Sequence, residues 1–275
     1  MIEGSEAEFR DKGFLLLKGF LDYEKEILPI HKEINALIDL KLCHAGLEPT
    51  KSPEQSTIRN EDFYRLIKKD RALGGDIYRA CRHLLSLYQL VSNEKMLSMA
   101  GRLMDTETIN VLSYVGIRID VPSEEKYLFP WHQDYPYTQG SMDGLVFWLP
   151  FFDVPVGHGN IQLIPGSHRD GLRKVKLVDP ENKGGSGAHT LEIEDMESCH
   201  EFELFEAEVK AGDALVFSTL TLHKSTPSQS SSIRWTSQIR YGNFSNEDSV
   251  RRGWPGGLFE GDKFEDRHPE YVSRK

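Results

Sequence analysis

From about Thr108 onward the chain becomes a series of short apolar runs cut by turn-formers, and this pattern leaves few ways to fold. TINVLSYVGIRI, GLVFWLPFFDV, GNIQLI, EFELFEAEV, DALVFSTLTL and SIRWTSQIRYG are rich in β-branched and aromatic residues. Gly, Pro, Asp or Ser clusters separate them, which marks them as strands. Strands of this length and spacing predict two sheets packed face to face, a sandwich or barrel.

The first hundred residues have a different period. After a strand-like GFLLLK (13–18), Asp22 is a candidate N-cap, and Ile27, Ile30, Ile34, Leu37 and Ile38 recur at helical spacing. Pro29 either kinks that segment or delays its start. A second helix is expected over Asp76–Val91 with Ile77, Cys81, Leu84, Leu85 and Tyr88 on one face, and a third after Asn93, carrying Met96, Leu97, Ala100, Leu103 and Met104. These stripes read as core. The expectation is a mainly β fold with flanking helices: one domain over 1–275, a helical flank at about 20–105 and a β core at about 108–242. The polar segment 170–200, with GGSG at its centre, is long for a connection without structure of its own and is a candidate lid.

Composition narrows the function classes. The formal net charge of −10 argues against a nucleic-acid partner, which needs clustered Lys and Arg. No apolar run reaches the roughly 18 residues that span a bilayer, and MIEGSEAEFRDKG has no apolar signal core. Cys43, Cys81 and Cys199 lie far apart without a CxxC, as expected of reduced thiols in a cytoplasmic protein.

The chemistry concentrates in FPWHQDYPY (129–137). On a strand, His132 and Asp134 would point to one face and could reach one ion. A further ligand must come from elsewhere, and His223, at the end of DALVFSTLTL, is the best placed of the remaining histidines. Two imidazoles and one carboxylate with other positions vacant are the ligand set of non-haem Fe(II) oxygenases. In Ser232–Tyr241, apolar Ile233, Trp235, Ile239 and Tyr241 alternate with Arg234, Thr236, Gln238 and Arg240. If helices cover the apolar side, the polar side points inward. An inward arginine needs an anion, which a bound dicarboxylate could supply through a bidentate pair. A polar face open to water gives the same alternation.

WHQD, then HGNIQLIPGSH, then GDALVFSTLTLHKS, then an arginine eleven residues beyond His223, resembles the phytanoyl-CoA dioxygenase family of Fe(II)- and 2-oxoglutarate-dependent oxygenases. FRDKGFLLLKGFLD also resembles that family's amino-terminal strand and helix start. The resemblance runs from about Phe9 to Tyr241. It implies a double-stranded β-helix (jelly roll, cupin-like) core, with Fe(II), 2-oxoglutarate and dioxygen as cofactor and co-substrates. It further implies that His132, Asp134 and His223 hold iron, and that Arg234, helped by Ser225, grips the distal carboxylate of 2-oxoglutarate. Trp148 would pack near the co-substrate, and Arg118 would supply a cation facing the site. His168 in PGSH reads as a turn residue. His158 stands where relatives commonly have asparagine, and reads as a turn cap or an extra histidine near iron.

Phe129, Trp131, Tyr135 and Tyr137 could form a dry rim around a reactive centre, although some must simply be core, as aromatics flanking a strand usually are; the two tyrosine hydroxyls would lean towards the mouth of the barrel. The resemblance implies hydroxylation of a C–H bond in a small-molecule substrate. Halogenating relatives have a small residue where Asp134 stands. The inward Arg118, Thr236, Gln238 and Arg240 favour a polar substrate, with Tyr135, Tyr137 and Gln238 as candidate contacts. Two alternatives keep the scaffold: the same site driving desaturation, cyclisation or epimerisation, and a cupin-like metal-binding module without turnover.

Overall fold

Asp22 caps the turn that leads into the long helix Leu28–His44, as its sequence suggests: its side chain accepts a hydrogen bond from the Lys25 amide. The structure is a computed structural model that describes residues 5–50, 57–112, 115–122, 124, 127–178, 191–196, 203–257 and 261–273. A π-helical turn, Tyr23–Ile27, delays the regular helix, which starts beside Pro29, where a missing amide hydrogen costs nothing. The helices of the flank are α1 (Ser5–Lys12), α2 (Leu28–His44), α3 (Asn60–Lys69), α4 (Arg71–Ala80), α5 (Leu85–Val91) and α6 (Glu94–Met104). The helix expected over 76–91 is two helices. Asp70 caps the first by accepting from the Ala72 amide, and a tight turn over Cys81–His83 separates them. That break shifts the phase, so Leu84, Leu87 and Leu90 are buried while Leu85 and Tyr88 face outward, against expectation. Asn93 caps α6 through the Lys95 and Met96 amides.

The strands are β1 (Phe14–Leu17), β2 (Ile109–Val111), β3 (Ile117–Asp120), β4 (Leu145–Pro150), β5 (Ile161–Leu163), β6 (Val175–Leu177), β7 (Leu191–Ile193), β8 (Ala214–Ser218), β9 (His223–Ser225), β10 (Arg234–Asn243) and β11 (Val272–Ser273). The larger sheet runs β1-β8-β4-β10-β2, with β3 also on β10, all antiparallel. Facing it, β5 and β9 pair with Leu163 opposite His223, and single bridges widen this smaller sheet: Phe205 on Leu163, His132 on His223. Within its described part, residues 203–209, EFELFEAEV contributes bridges at Phe205 and Val209 rather than a continuous strand. Its recurring glutamates suit an edge that should not recruit another chain.

Alternation then sorts the two faces. Leu145, Phe147 and Leu149 of β4 and Trp235, Ile239 and Tyr241 of β10 pack under the helices with Ile27, Ile34, Phe63 and Leu87. Phe63 meets Trp235 edge-on at 5.0 Å, and the Tyr241 hydroxyl donates to the Val91 carbonyl at 2.7 Å. Val146, Trp148, Leu215 and Phe217 face the other way and close on Ile161 and Leu163 of the smaller sheet. This is the double-stranded β-helix with one helix-covered face. The polar residues of β10 consequently point between the sheets.

The flanks of the polar 170–200 segment do have structure: β6 and β7 pair antiparallel, and β11 adds to β6. The GGSG centre of the expected lid lies outside the described residues. Two short helices, α8 (Glu247–Arg252) and α9 (Phe264–Arg267), follow β10. No helix among the described residues is long and apolar enough to cross a membrane.

Candidate active site

His132 and His223 sit directly opposite one another, exchanging both backbone hydrogen bonds at 2.9 and 3.0 Å. Side chains of such a pair leave the same face, and the ring centroids are 4.1 Å apart. Asp134 arrives differently from expectation. It is not on a strand but immediately precedes a short helical turn, α7 (Tyr135–Thr138), with Pro136 in its first turn. The Thr219 carbonyl accepts the amides of both Asp134 and Tyr135, so the chain bends and swings the carboxylate back towards the histidines. Asp134 Oδ1 lies 3.3 Å from His132 Nε2 and 3.6 Å from His223 Nε2. All three residues are buried, and their ligand atoms lie within 4.8 Å of one another.

The histidine tautomers follow from their partners. Nδ1 of His132 is 2.7 Å from the Pro130 carbonyl, and Nδ1 of His223 is 2.9 Å from the Thr221 carbonyl. A carbonyl only accepts, so each Nδ1 carries the hydrogen and each Nε2 presents a lone pair. Burial, then the neighbouring His132, pushes His223 down to about 3 despite the opposing pull of Asp134, so this ring stays neutral. Burial acts to raise the Asp134 carboxyl, but the opposing influences, the Arg240 guanidinium first among them, hold it far below the usual carboxylate range. Two lone pairs and a carboxylate oxygen converging out of water repel one another unless a cation lies between them. His223 Nε2 is accordingly a buried polar atom without a hydrogen-bond partner. These residues fit a metal ion.

The polar face of β10 lines the same interior. Arg234, almost wholly buried, gives Nε and Nη2 to Asp120 Oδ2 at 3.1 and 2.7 Å. Asp120 stands opposite Arg234 on β3, and Arg118 grips it from the other side at 2.7 and 2.9 Å. The anion that an inward Arg234 needs is supplied in this structure by the chain's own Asp120, which takes Nε and Nη2. Burial works against the Asp120 carboxylate, yet Arg118 and Arg234 together hold its pKa below the ordinary value. Arg234 Nη1 remains buried without a partner, beside a cleft lined by Asp120, Tyr127, Gly159, Thr226 and Ser228. At the other end of the strand, Arg240 Nε donates to Asp134 Oδ2 at 2.6 Å and Nη2 to Gln238 Oε1 at 2.6 Å.

The profile of the family described as Phytanoyl-CoA dioxygenase (PhyH) matches residues 9–236. The chain belongs to the phytanoyl-CoA dioxygenase family. Over 108 residues it is 32% identical to the 1-deoxypentalenic acid 11-beta-hydroxylase of Streptomyces arenae, a stretch that covers 39% of this chain and 38% of that protein. Among solved structures, the non-haem alpha-ketoglutarate-dependent carbocyclase SnoK from nogalamycin biosynthesis superimposes with a TM-score of 0.53 at 17% identity, covering 94% of this chain and 92% of that one. The epimerase SnoN, in complex with Fe3+, alpha-ketoglutarate and nogalamycin RO, gives a TM-score of 0.51 at 16% identity, covering 86% of this chain and 82% of that one.

For this member of the phytanoyl-CoA dioxygenase family, the remaining expectations divide. Trp148 is on the inner face, opposite Gln238. Ser225 is two residues from His223 on β9 and shares its side of the strand, although Thr226 and Ser228 line the cleft beside Arg234. Phe129 packs on His132 with centroids 5.0 Å apart, and Tyr137 meets His132 edge-on at 6.1 Å. Tyr135 does not open towards the mouth. Its ring is fully buried, and its hydroxyl meets Arg252 at 2.5 Å and His268 at 3.1 Å. Trp131 stacks under Lys224 at 4.8 Å. His168 stays at its turn, 3.1 Å from the Arg10 carbonyl, and His158 bridges to Ser228. Neither joins the metal-ligating group. Sequence reasoning missed Asp120 altogether and saw Arg240 only as an inward cation. IRID, with Arg and Asp two apart on a strand, is the signal that could have found the first.

Proposed function

We propose that this chain is an Fe(II)- and 2-oxoglutarate-dependent oxygenase that hydroxylates a C–H bond of a small organic substrate. The observation that carries this reading is the convergence of His132 Nε2, Asp134 Oδ1 and His223 Nε2 in the interior of a family scaffold that also buries Arg234. His132, Asp134 and His223 would hold iron, which with 2-oxoglutarate and dioxygen supplies the oxidising power to break an unactivated C–H bond.

The chain's own residues do the rest. The Pro130 and Thr221 carbonyls keep both imidazoles in the tautomer that offers Nε2. Arg234 offers Nη1 to a carboxylate while Asp120 fixes its plane, with Ser225 as a further donor for the co-substrate. Phe129, Tyr137 and Trp148 keep water from the inner face. Arg118 and Arg240 are matched by internal carboxylates, so they speak less for a polar substrate than their sequence positions suggest. The buried Thr219 and Thr236 hydroxyls, which lack partners, and the Gln238 amide support polar groups on the bound molecules. An inert cupin-like module would not need a buried, half-paired arginine facing its cavity.

Epimerisation or cyclisation at the same site is the second reading, favoured by the epimerase and carbocyclase that share the fold. Candidate substrates screened for coupled succinate release, with mass analysis of the product, separate the two: a gain of one oxygen supports hydroxylation, and an unchanged or dehydrogenated mass supports the alternatives. Asp134→Ala is expected to reduce succinate release to background. Undiminished turnover in that variant contradicts the site.

A further inference from the structure

The two oxygens of Asp134 have different partners. Oδ1 faces both imidazoles, at 3.3 and 3.6 Å, whereas Oδ2 receives the Arg240 Nε–H at 2.6 Å. We infer that Arg240 is a positioning residue that confines Asp134 to a single-oxygen contact with the metal. The inference rests on the proposed iron site and extends it to a residue beyond the end of the family match at residue 236.

An unrestrained carboxylate can take one position on a cation or two. A second position taken by Asp134 would be one fewer for co-substrate and dioxygen, the open positions on which this ligand set depends. Arg240 removes that option with a charge-assisted hydrogen bond to the oxygen that must stay off the ion. It is itself held. Nη2 donates to Gln238 Oε1 at 2.6 Å, two residues back on the same face of β10. That strand is flanked by β4 on one side and by β2 and β3 on the other, and the Arg240 backbone carbonyl also accepts the Leu112 amide. The planar fork of arginine spans both acceptors at once, and a lysine head group does so less well. The approach is tight, with the guanidinium and carboxylate largely shielded from solvent, so the contact cannot drift without cost.

The test uses full-length protein stripped of metal: wild type, Arg240→Gln and Arg240→Lys. Fe(II) affinity is measured by anaerobic equilibrium dialysis, and 2-oxoglutarate is then titrated into the iron-saturated proteins, following the visible band of the iron–keto-acid chelate. Arg240→Gln is expected to bind Fe(II) about 10- to 100-fold more weakly and to need several-fold more 2-oxoglutarate at iron saturation, with Arg240→Lys between it and wild type. A purely structural role would lower the melting temperature of the metal-free protein and leave the 2-oxoglutarate titration of the iron-saturated form unchanged. Should Arg240→Gln not fold, Gln238→Leu removes only the brace and is expected to weaken iron binding several-fold. Arg240→Gln, or Gln238→Leu in its place, with iron and 2-oxoglutarate affinities equal to wild type overturns the inference and leaves the functional reading standing. A wild type that binds no iron overturns both.

Discussion

At the scale of single residues, the site pairs its buried charges within the chain and leaves His223 Nε2, Arg234 Nη1 and the Thr219 and Thr236 hydroxyls without partners. Asp120 is the clearest case, a carboxylate between two guanidiniums. Removing its charge leaves Arg118 and Arg234 facing each other out of water, so Asp120→Asn is expected to cost about 3–5 kcal/mol near neutral pH. The pH dependence has a definite sign. The folded pKa lies below the unfolded value of about 3.9, so the stabilisation is complete above that pH and fades as pH falls through the folded value. Denaturant melts should therefore show a gap between wild type and variant that is constant above about pH 5 and narrows in more acid solution. A gap that widens there contradicts the assignment. Gly159 tests the same corner. Its φ is +85°, and a methyl group there would sit 3.0 Å from Arg234 Nη1. Gly159→Ala is expected to cost about 1–2 kcal/mol and to raise the half-saturating 2-oxoglutarate concentration with little change in iron affinity.

Among the elements, β10 carries both halves of the account. Its Trp235, Ile239 and Tyr241 hold the helical flank, and the even-numbered residues between Arg234 and Arg240 line the interior. This division was legible because period-two alternation in one strand is a local property. So were the caps at Asp22 and Asn93, which need only a side chain and the next few amides. Other features depend on distant partners and had no local signal. The fork of Arg234 could not be assigned without the β3–β10 register that sets Asp120 opposite it. Tyr135 looked like a rim residue because its neighbours are aromatic, yet it turns away to Arg252 and His268, more than a hundred residues on. That link makes a prediction for the elements after β10. Arg252 also pairs with Asp248, and Gly257 approaches the carbonyls of Tyr137 and Thr138 closely, so the carboxy-terminal segment braces the turn that begins at Asp134. Arg252→Ala is expected to lower stability by about 1.5–3 kcal/mol and to weaken iron binding by several-fold, although Arg252 touches none of the three ligands. Dialysis against Fe(II) checks this, and unchanged affinity in the variant would separate the segment from the site.

For the whole molecule, the order of construction is clear. A helical layer makes one face of the larger sheet greasy, and this turns the polar face of β10 inward. The smaller sheet then closes over it and brings His132 and His223 into register, and a bend at α7 adds Asp134. Removing the helix-covered face would cost the site its arginines before it touched a ligand. The most direct test is a crystal structure of the iron-loaded protein, grown without oxygen, with anomalous data collected on both sides of the iron absorption edge. An iron site built from these three residues gives one strong anomalous peak about 2 Å from His132 Nε2, Asp134 Oδ1 and His223 Nε2 together. A peak that leaves His223 unbound, or that lies elsewhere in an intact fold, contradicts it.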